Sequence, residues 1–253
     1  MATLIADLQA QRPDHIAITG DLTNFATREE FAAARCWLEA LAPADQVTVS
    51  PGNHDALAGA DGPERFAEWR PWLGDEDAAS FPQVRLRGQV ALVNLCSATP
   101  TAVHLAQGVL DPAQLERLPQ MLRQLGGEGL FRVVLIHHPP TAGVVSRRKA
   151  LRQAPELAAI LRAEGAELVL HGHAHEASLS TLAGPLGPIP VLGVPPASGV
   201  GGHGEAARWH EIEITPGDGW QVRVTARGLG ADGEMAELGR YRLADAAESA
   251  AQD

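Results

Sequence analysis

The chain has 253 residues, a hydrophobic content of 45% and a formal net charge of −11, a combination typical of a globular protein with one large core. The acidic excess disfavours a nucleic-acid polymer as partner, and no apolar stretch approaches the roughly 20 residues that a membrane span needs. The first residues lack the basic and apolar regions of a signal peptide, so we expect a cytoplasmic location.

The first helix-and-strand pair ends in a carboxylate. Residues 1–11 carry apolar side chains at helical spacing, which predicts that the sequence begins in a helix. Residues 15–19 are typical of a short buried strand, and Asp21 follows at its carboxyl end. A single Asp at such a position is more often a turn residue or a helix N-cap than a ligand. The interpretation of Asp21 as a ligand therefore depends on the polar residues that follow the later strands.

The second helix-and-strand pair ends in a larger polar cluster. Thr27 has the position of an N-cap residue at the start of a predicted helix. A strand is predicted at 47–49, and Asn53, His54 and Asp55 follow it closely. Asn alone usually forms a turn, but three such side chains at another strand end favour a functional site.

The middle of the chain continues the mixed α/β pattern. Residues 56–82 are rich in Gly, Pro and Trp and predict short helices that form a cap near the mouth of a site. Strands are predicted at 84–87 and 90–95, joined by a tight turn. Asp111, which Pro and Gln follow, predicts the N-cap of a helix that runs to residue 125.

Two later strands end in histidines. A buried strand predicted at 131–136 leads into His137, and two prolines then stiffen the exit of the chain. After a helix, residues 168–170 form another buried strand, which His173 and His175 follow. Open α/β sheets hold ligands beyond the carboxyl ends of their strands, and neutral imidazole is the commonest metal ligand. A histidine-rich surface turn is the competing interpretation for the last pair.

The final third of the chain predicts further strands and a tail. A short strand is predicted at 189–194. The alternating patterns at 208–214 and 220–224 predict an antiparallel hairpin with one buried face. We expect one domain over residues 1–242 and a disordered tail at 243–253, which is rich in Ala, Glu and Asp.

The candidate side chains are oxygen and imidazole donors without a thiolate. Such donors suit Mn, Fe or Zn and differ from a structural zinc site closed by cysteines. The two cysteines, Cys36 and Cys96, have no CxxC spacing, and we expect both to be buried without a disulfide. A serine hydrolase is disfavoured because the sequence has no GxSxG motif.

Four sequence blocks together resemble the calcineurin-like metallophosphoesterase family, and most closely its bacterial cyclic-nucleotide phosphodiesterase-type branch. In chain order the blocks are Gly20-Asp21, Gly52-Asn53-His54-Asp55, His137 and Gly172-His173-Ala174-His175. The resemblance covers nearly the whole chain through residue 215. It implies an α/β fold, namely a calcineurin-like four-layer αββα sandwich of two mixed β-sheets.

The resemblance also implies a centre for divalent metal ions, of which the family holds two. The implied metal ligands are Asp21, Asn53, His137, His173 and His175. Asp21 would bridge the two ions. Asn53, His137 and His173 would complete one of them, and His175 would belong to the other.

Three further residues have implied roles other than ligation. His54 would be the catalytic residue, acting on the substrate phosphate as an acid or as an electrostatic helper. His138 and Asp55 would orient the ligands or His54. His137 is preferred to His138 as the ligand because the family pattern resembles His-x-Pro, which places the ligand two residues before Pro139.

The activity implied by the resemblance is metal-dependent hydrolysis of a small phosphoester, above all a phosphodiester, by metal-activated hydroxide. Two other functions stay open: a one-metal, catalytically weak or inactive binding protein, and a hydrolase of bonds other than phosphoesters on the same scaffold. The basic run at 147–149 is typical of a solvated face, although it could guide a phosphate into the cleft.

The sequence departs from the family pattern at its start. Family members begin with a strand that ends in Asp-x-His and supplies two ligands, and this sequence contains no Asp-x-His. With the N-terminal strand missing, either the sequence is truncated or the natural protein has half a site, with one metal. We expect truncation, because every remaining ligand is intact. A missing inner strand would leave an open sheet edge, which favours a homo-oligomer.

Overall fold

The computed structural model describes residues 1–57, 63–75, 80–102, 104–199, 206–217, 219–230 and 232–243. Its helices are α1 (Ala2–Gln11), α2 (Arg28–Leu41), α3 (Pro112–Gly127) and α4 (Ala154–Glu164). Its strands are β1 (Ile16–Ile18), β2 (Val47–Val49), β3 (Gln83–Arg87), β4 (Val90–Asn94), β5 (Phe131–Leu135), β6 (Leu168–His171), β7 (Ser178–Gly184), β8 (Gly187–Gly193), β9 (Arg208–Gly217), β10 (Gly219–Leu229) and β11 (Met235–Leu243). The expected mixed α/β class is confirmed. Within these ranges, no helix has both the length and the apolar character that crossing a membrane requires.

A mixed sheet of six described strands, in the order β3-β4-β5-β6-β8-β7, forms the centre of the structure. Strands β4, β5, β6 and β8 run parallel to one another, while β3 and β7 are antiparallel edges. Strand β5 is buried along its whole length, including Arg132, which fits a strand that is covered on both faces. Leu135 on β5 pairs with Leu170 on β6, so the histidines that follow these strands emerge side by side.

Helices α3 and α4 cover one face of this sheet. The fully buried leucines that pack there are Leu118, Leu122, Leu157 and Leu161. Each of these side chains stabilises the fold by about 1.5–3 kcal/mol relative to an exposed one. Helix α3 begins as predicted, since the Asp111 side chain accepts a hydrogen bond from the Gln114 amide at 3.0 Å.

A three-stranded antiparallel sheet, β11-β10-β9, covers the opposite face. Phe131 of the central sheet and Val224 of β10 belong to one buried apolar cluster between the two sheets. Helix α1 covers the outer side of the smaller sheet, where Asp7 accepts hydrogen bonds from Arg227 at 2.8 Å and from the Trp209 indole at 2.9 Å. Helices, sheet, sheet and helix thus form the four expected layers.

Strands β1 and β2 form a separate parallel pair that packs against α2. Their register aligns Ile18 with Val49, and the Ser50 amide donates to the Ile18 carbonyl at 2.9 Å. Helix α2 begins after Thr27 with the full capping box. Among the described residues, β1 pairs only with β2 and β9 only with β10, so the second expected mixed sheet is present as two separate parts.

The sequence pattern does not predict β7 and β11. Side chains on β7 alternate between half-buried and exposed, so its SLSTLAG sequence has no apolar run. Most side chains of strand β11, MAELGRYRL, are also exposed or half-buried, and its sequence has no apolar run either. Leu243, which was expected to start the tail, instead ends β11 and is buried, and this corrects the predicted boundary. Residues 244–253 of the expected tail lie outside the described residues.

The region expected to form a cap is described at 63–75 and 80–82. Residues Pro63–Trp72 form tight 3-10 turns. Phe66, Trp69 and Trp72 are buried in the cluster that joins α2 to β2, and the Trp69 ring centroid lies 4.6 Å from that of Phe31. The role of this region at the mouth of a site stays a prediction.

The two cysteines have different environments. Cys36 is exposed, which corrects the expectation of burial, because it lies on the outer face of α2. Cys96 is buried as expected, and burial raises the pKa of its thiol to about 12. Both are free thiols, as expected.

Candidate metal centre

Two glycines allow the loops after β1 and β2 to approach His137. Gly20 has a φ of +101°, and a Cβ at this position would lie 2.7 Å from His137 Nδ1 and 2.7 Å from the Ser50 carbonyl oxygen. A Cβ on Gly52 would collide with the Asp21 carboxylate. Because only glycine leaves this space open, the two loops can bring Asp21 and His137 together.

The His137 ring is held from both sides. Its Nδ1 lies 2.5 Å from the Thr19 carbonyl oxygen, which can only accept, so Nδ1 carries the proton. Its Nε2 lies 3.1 Å from Asn53 Oδ1 and 3.3 Å from Asp21 Oδ2. In the neutral ring this nitrogen is an acceptor, so three acceptors face one another. A cation or a proton between them would satisfy all three.

Asp21 and His137 are electrostatically coupled. Burial acts against the charge of both groups, but their mutual attraction and hydrogen bonding outweigh it. The pKa of Asp21 therefore lies below its usual range, and the pKa of His137 lies above its usual value. A proton on Nε2 and a divalent cation would compete for the same position, which couples metal binding to pH.

His173 adjoins this group. Its Nε2 donates to the Lys149 carbonyl at 3.0 Å, which leaves the lone pair on Nδ1. The ring centroids of His137 and His173 are 5.0 Å apart. Burial, followed by the charge of His137, lowers the pKa of His173 to about 3. The ring is thus neutral near pH 7, as a metal ligand must be.

His138 is close by but differs in its bonding. Each of His137, His138 and His173 offers a ring nitrogen, and the three nitrogens lie within 4.8 Å of one another. However, His138 Nδ1 lies 2.7 Å from Ser97 Oγ, and its Nε2 lies 3.2 Å from the Ala106 carbonyl. Because both nitrogens already have protein partners, His138 fits a role in packing against the ligands better than ligation.

Asp55 braces the loops that carry the candidate ligands. Its carboxylate accepts hydrogen bonds from the backbone amides of Asp21, Thr23 and Gly52, each at 2.9 Å, and from the Thr23 hydroxyl. Burial raises the pKa of Asp55 to about 6, although the amide donors act in the opposite direction. The expected role of Asp55 in orienting the ligands or His54 stays a prediction.

His54 lies at the edge of the candidate metal centre. Its backbone amide donates to Asp21 Oδ1 at 2.9 Å, and its ring Nδ1 donates to the Asn24 carbonyl at 2.8 Å. The ring is half-buried, and Nε2 is the nitrogen left for chemistry. His175 is exposed and lies outside the group formed by the other three imidazoles.

Backbone strain is concentrated at the candidate ligands. Asp21, His173 and His175 have φ values of +59°, +65° and +61°, which place them in the left-handed region. They are three of the five non-glycine residues with positive φ in the described part of the chain. Such conformations persist where the surroundings enforce them, and they occur most often at functional sites.

Sequence reasoning missed the groups that orient the imidazoles. The carbonyls of Thr19 and Lys149 are backbone atoms and carry no side-chain signature. Ser97 could have been found, because it follows the end of β4 in the same way that the other site residues follow their strands.

The chain resembles known proteins both in sequence and in fold. The model of the calcineurin-like phosphoesterase family matches residues 1–177. A probable cyclic nucleotide phosphodiesterase of Synechococcus sp. is 28% identical over 231 residues, which cover 88% of this chain and 80% of that protein. A probable cyclic nucleotide phosphodiesterase of Rhodococcus erythropolis is 28% identical over 186 residues, 71% of this chain and 56% of that protein. The crystal structure of a dimetal phosphatase from Danio rerio has the same fold, with a TM-score of 0.61 and 13% identity over 92% of this chain and 85% of that chain.

Proposed function

Because the chain belongs to the calcineurin-like phosphoesterase family, we propose that it hydrolyses a phosphodiester with divalent metal held by Asp21, Asn53, His137 and His173. The observation that carries the proposal is the short distance from His137 Nε2 to the side-chain oxygens of Asp21 and Asn53. Two relatives that are each called a probable cyclic nucleotide phosphodiesterase support a diester as the substrate class.

The donor set fits a divalent ion. Carboxylate, amide oxygen and imidazole are ligands that Mn, Fe and Zn accept. His137 and His173 each give their second nitrogen to a backbone carbonyl, the arrangement that fixes tautomer and ring orientation in metal sites. When bound, the metal would polarise the phosphoryl oxygens and lower the pKa of a nucleophilic water toward about 7.

A second ion is a separate proposal. His175 and a shared Asp21 would be its ligands in this sequence, and two protein ligands hold an ion weakly. We therefore expect tighter binding of the first ion, at His137 and His173, than of the second.

His54 is the proposed general acid. The hydrogen bond from Nδ1 to the Asn24 carbonyl fixes the ring, so protonated Nε2 can donate to the oxygen that leaves phosphorus. The amide of the same residue orients Asp21, which links the position of the acid to that of the ligand. Asp55 holds both loops in register through the amides of Asp21 and Gly52.

Two expectations beyond the reaction also remain proposals. A cytoplasmic location fits the composition of the chain. Pairing between two copies fits the edge of β1 that no other described strand covers.

The proposal is tested with the purified 253-residue chain loaded with Mn²⁺. We expect one or two equivalents of bound metal by elemental analysis, and metal-dependent cleavage of bis-p-nitrophenyl phosphate. Faster cleavage of the monoester p-nitrophenyl phosphate would instead favour a phosphomonoesterase. Bound metal with no cleavage of either ester would favour the one-metal binding protein, and cleavage of the diester argues against a hydrolase of other bonds.

A further inference from the structure

Lys149 is the only lysine among the 20 Lys and Arg residues of the chain. It ends the run Arg147-Arg148-Lys149, and the sequence contains no Asp or Glu between Glu128 and Glu156. In a chain with a net charge of −11, this is a locally basic segment. Such a segment attracts anionic ligands against the repulsion of the whole protein.

The backbone around Lys149 is fixed. The amides of Ala106 and Gly108 donate to the carbonyls of Arg148 at 2.9 Å and Ala150 at 3.2 Å. The Lys149 amide also donates within the loop, to a carbonyl three residues earlier at 2.8 Å. The segment is therefore held in place on both sides of Lys149.

Lys149 directly adjoins a candidate metal ligand. Its carbonyl accepts the hydrogen bond from His173 Nε2 at 3.0 Å, while its side chain is exposed. Any residue would supply the carbonyl, so this hydrogen bond does not account for a lysine side chain at this position.

The chemistry of an ammonium group does account for it. It presents three donors and no acceptor on a flexible stem, and it binds phosphate oxygens as a point charge. A phosphoryl group held beside His173 would present negatively charged oxygens to the ammonium group of Lys149. Arg147 and Arg148 are also exposed and add to the positive potential around Lys149.

We propose that Lys149 is a substrate-binding residue whose ammonium group contacts a phosphoryl oxygen of the phosphoester beside His173. Arg147 and Arg148 increase the local concentration of anionic substrate. This inference rests on the proposed function, because it requires a phosphoester at the candidate metal centre. It adds a specificity element from the loop after β5, outside the metal ligands.

The single lysine permits a direct binding test. The Mn²⁺-loaded chain is treated with an amine-reactive acetylating reagent, with and without inorganic phosphate, and the modified peptides are quantified by mass spectrometry. We expect phosphate to slow the modification of Lys149 several-fold relative to the α-amino group of Met1, which serves as the internal reference. Calorimetry on the same sample measures whether phosphate binds. Bound phosphate that leaves Lys149 fully reactive overturns the role of Lys149, while absence of phosphate binding overturns this role and counts against the proposed function.

Kinetics of three variants complete the test. We expect Lys149→Gln to raise KM for bis-p-nitrophenyl phosphate by about tenfold, the order that loss of one charged hydrogen bond produces. Lys149→Arg should recover most of this loss, and the exposed Arg162→Gln on α4 should behave as the parent chain. All three variants keep the backbone carbonyl of Lys149, so their Mn²⁺ content should be unchanged. Equal KM values for the Gln, Arg and parent chains would contradict the assignment, whereas a parent chain without turnover points to failure of the proposed function itself.

Discussion

The Nε2 atom of His137 lies 3.3 Å from Oδ2 of Asp21, and Nδ1 of the same ring lies 2.5 Å from the carbonyl oxygen of Thr19. One short segment after β1 therefore supplies both a carboxylate beside the imidazole and the carbonyl that fixes its tautomer. Gly20 and Asp21 both have positive φ, so this segment depends on an uncommon backbone conformation at two consecutive residues. The relationship makes Asp21 the residue whose replacement tests the centre most directly.

Asp21→Asn should weaken Mn²⁺ binding by more than the factor of about 10–100 that loss of an outer-shell partner usually causes. The substitution keeps the shape of the side chain but removes the negative charge beside His137. Calorimetric titration with Mn²⁺ measures the change, and the exposed Asp14→Asn is the matched control. Unchanged affinity in Asp21→Asn would remove this residue from the ligand set.

His54→Gln should lower kcat by about 10²–10⁴-fold, the usual contribution of a general acid, while Mn²⁺ affinity stays the same. The reason is that the ring bonds to the Asn24 carbonyl and is not among the proposed ligands. Turnover of bis-p-nitrophenyl phosphate and metal content are measured on the same preparation. His104→Gln, at an exposed loop position, is the control. A parental rate in His54→Gln would exclude His54 from the mechanism.

Most of the elements were predictable because local chemistry specifies them. The capping box at Thr27 and the Asp111 cap mark the starts of α2 and α3, and the mostly apolar sequence of β5 marks a strand buried on both faces. By contrast, β7 and β11 are polar strands whose pairing partners, and not their own sequences, hold them in place. Their existence depends on tertiary contacts, which a sequence pattern does not contain.

The candidate site was predictable at the level of side chains but not of orientation. Asp21, Asn53 and His137 each follow a strand end, which is why the sequence indicated them together. The groups that orient the histidines are backbone carbonyls, at Thr19 and Lys149, whose positions depend on how the loops pack. Strand order and register, which the sequence does not state, decide those contacts.

Gly20→Ala should lower the free energy of unfolding by about 2–4 kcal/mol, because the new Cβ is strained by a positive φ and also meets His137 and Ser50. Gly143→Ala is the matched control, since Gly143 has a φ of +85° but nothing within 4 Å of its Cβ position. That substitution should lose only about 1–2 kcal/mol from the backbone alone. Urea denaturation of the metal-free proteins gives both values, and equal losses would show that the Gly20 contact with His137 is unimportant.

The stability of the protein should fall as the pH decreases from about 6.5 to about 4, and His15 should account for part of this change. Burial, followed by the charges of Arg87 and Arg85, lowers the pKa of His15 from 6.5 to about 4 in the folded chain. Between these two values the unfolded chain binds more protons than the folded one, so the stabilisation is complete above pH 6.5 and is lost as the pH falls. His15→Gln can keep a hydrogen bond to Thr48, whose hydroxyl lies 2.8 Å from His15 Nε2, but it cannot titrate. The urea midpoint of this variant, measured in EDTA at several pH values, should therefore decline less steeply than that of the parent chain or of the exposed His104→Gln variant. Identical pH profiles for all three proteins would mean that the pKa of His15 is the same in the folded and the unfolded chain.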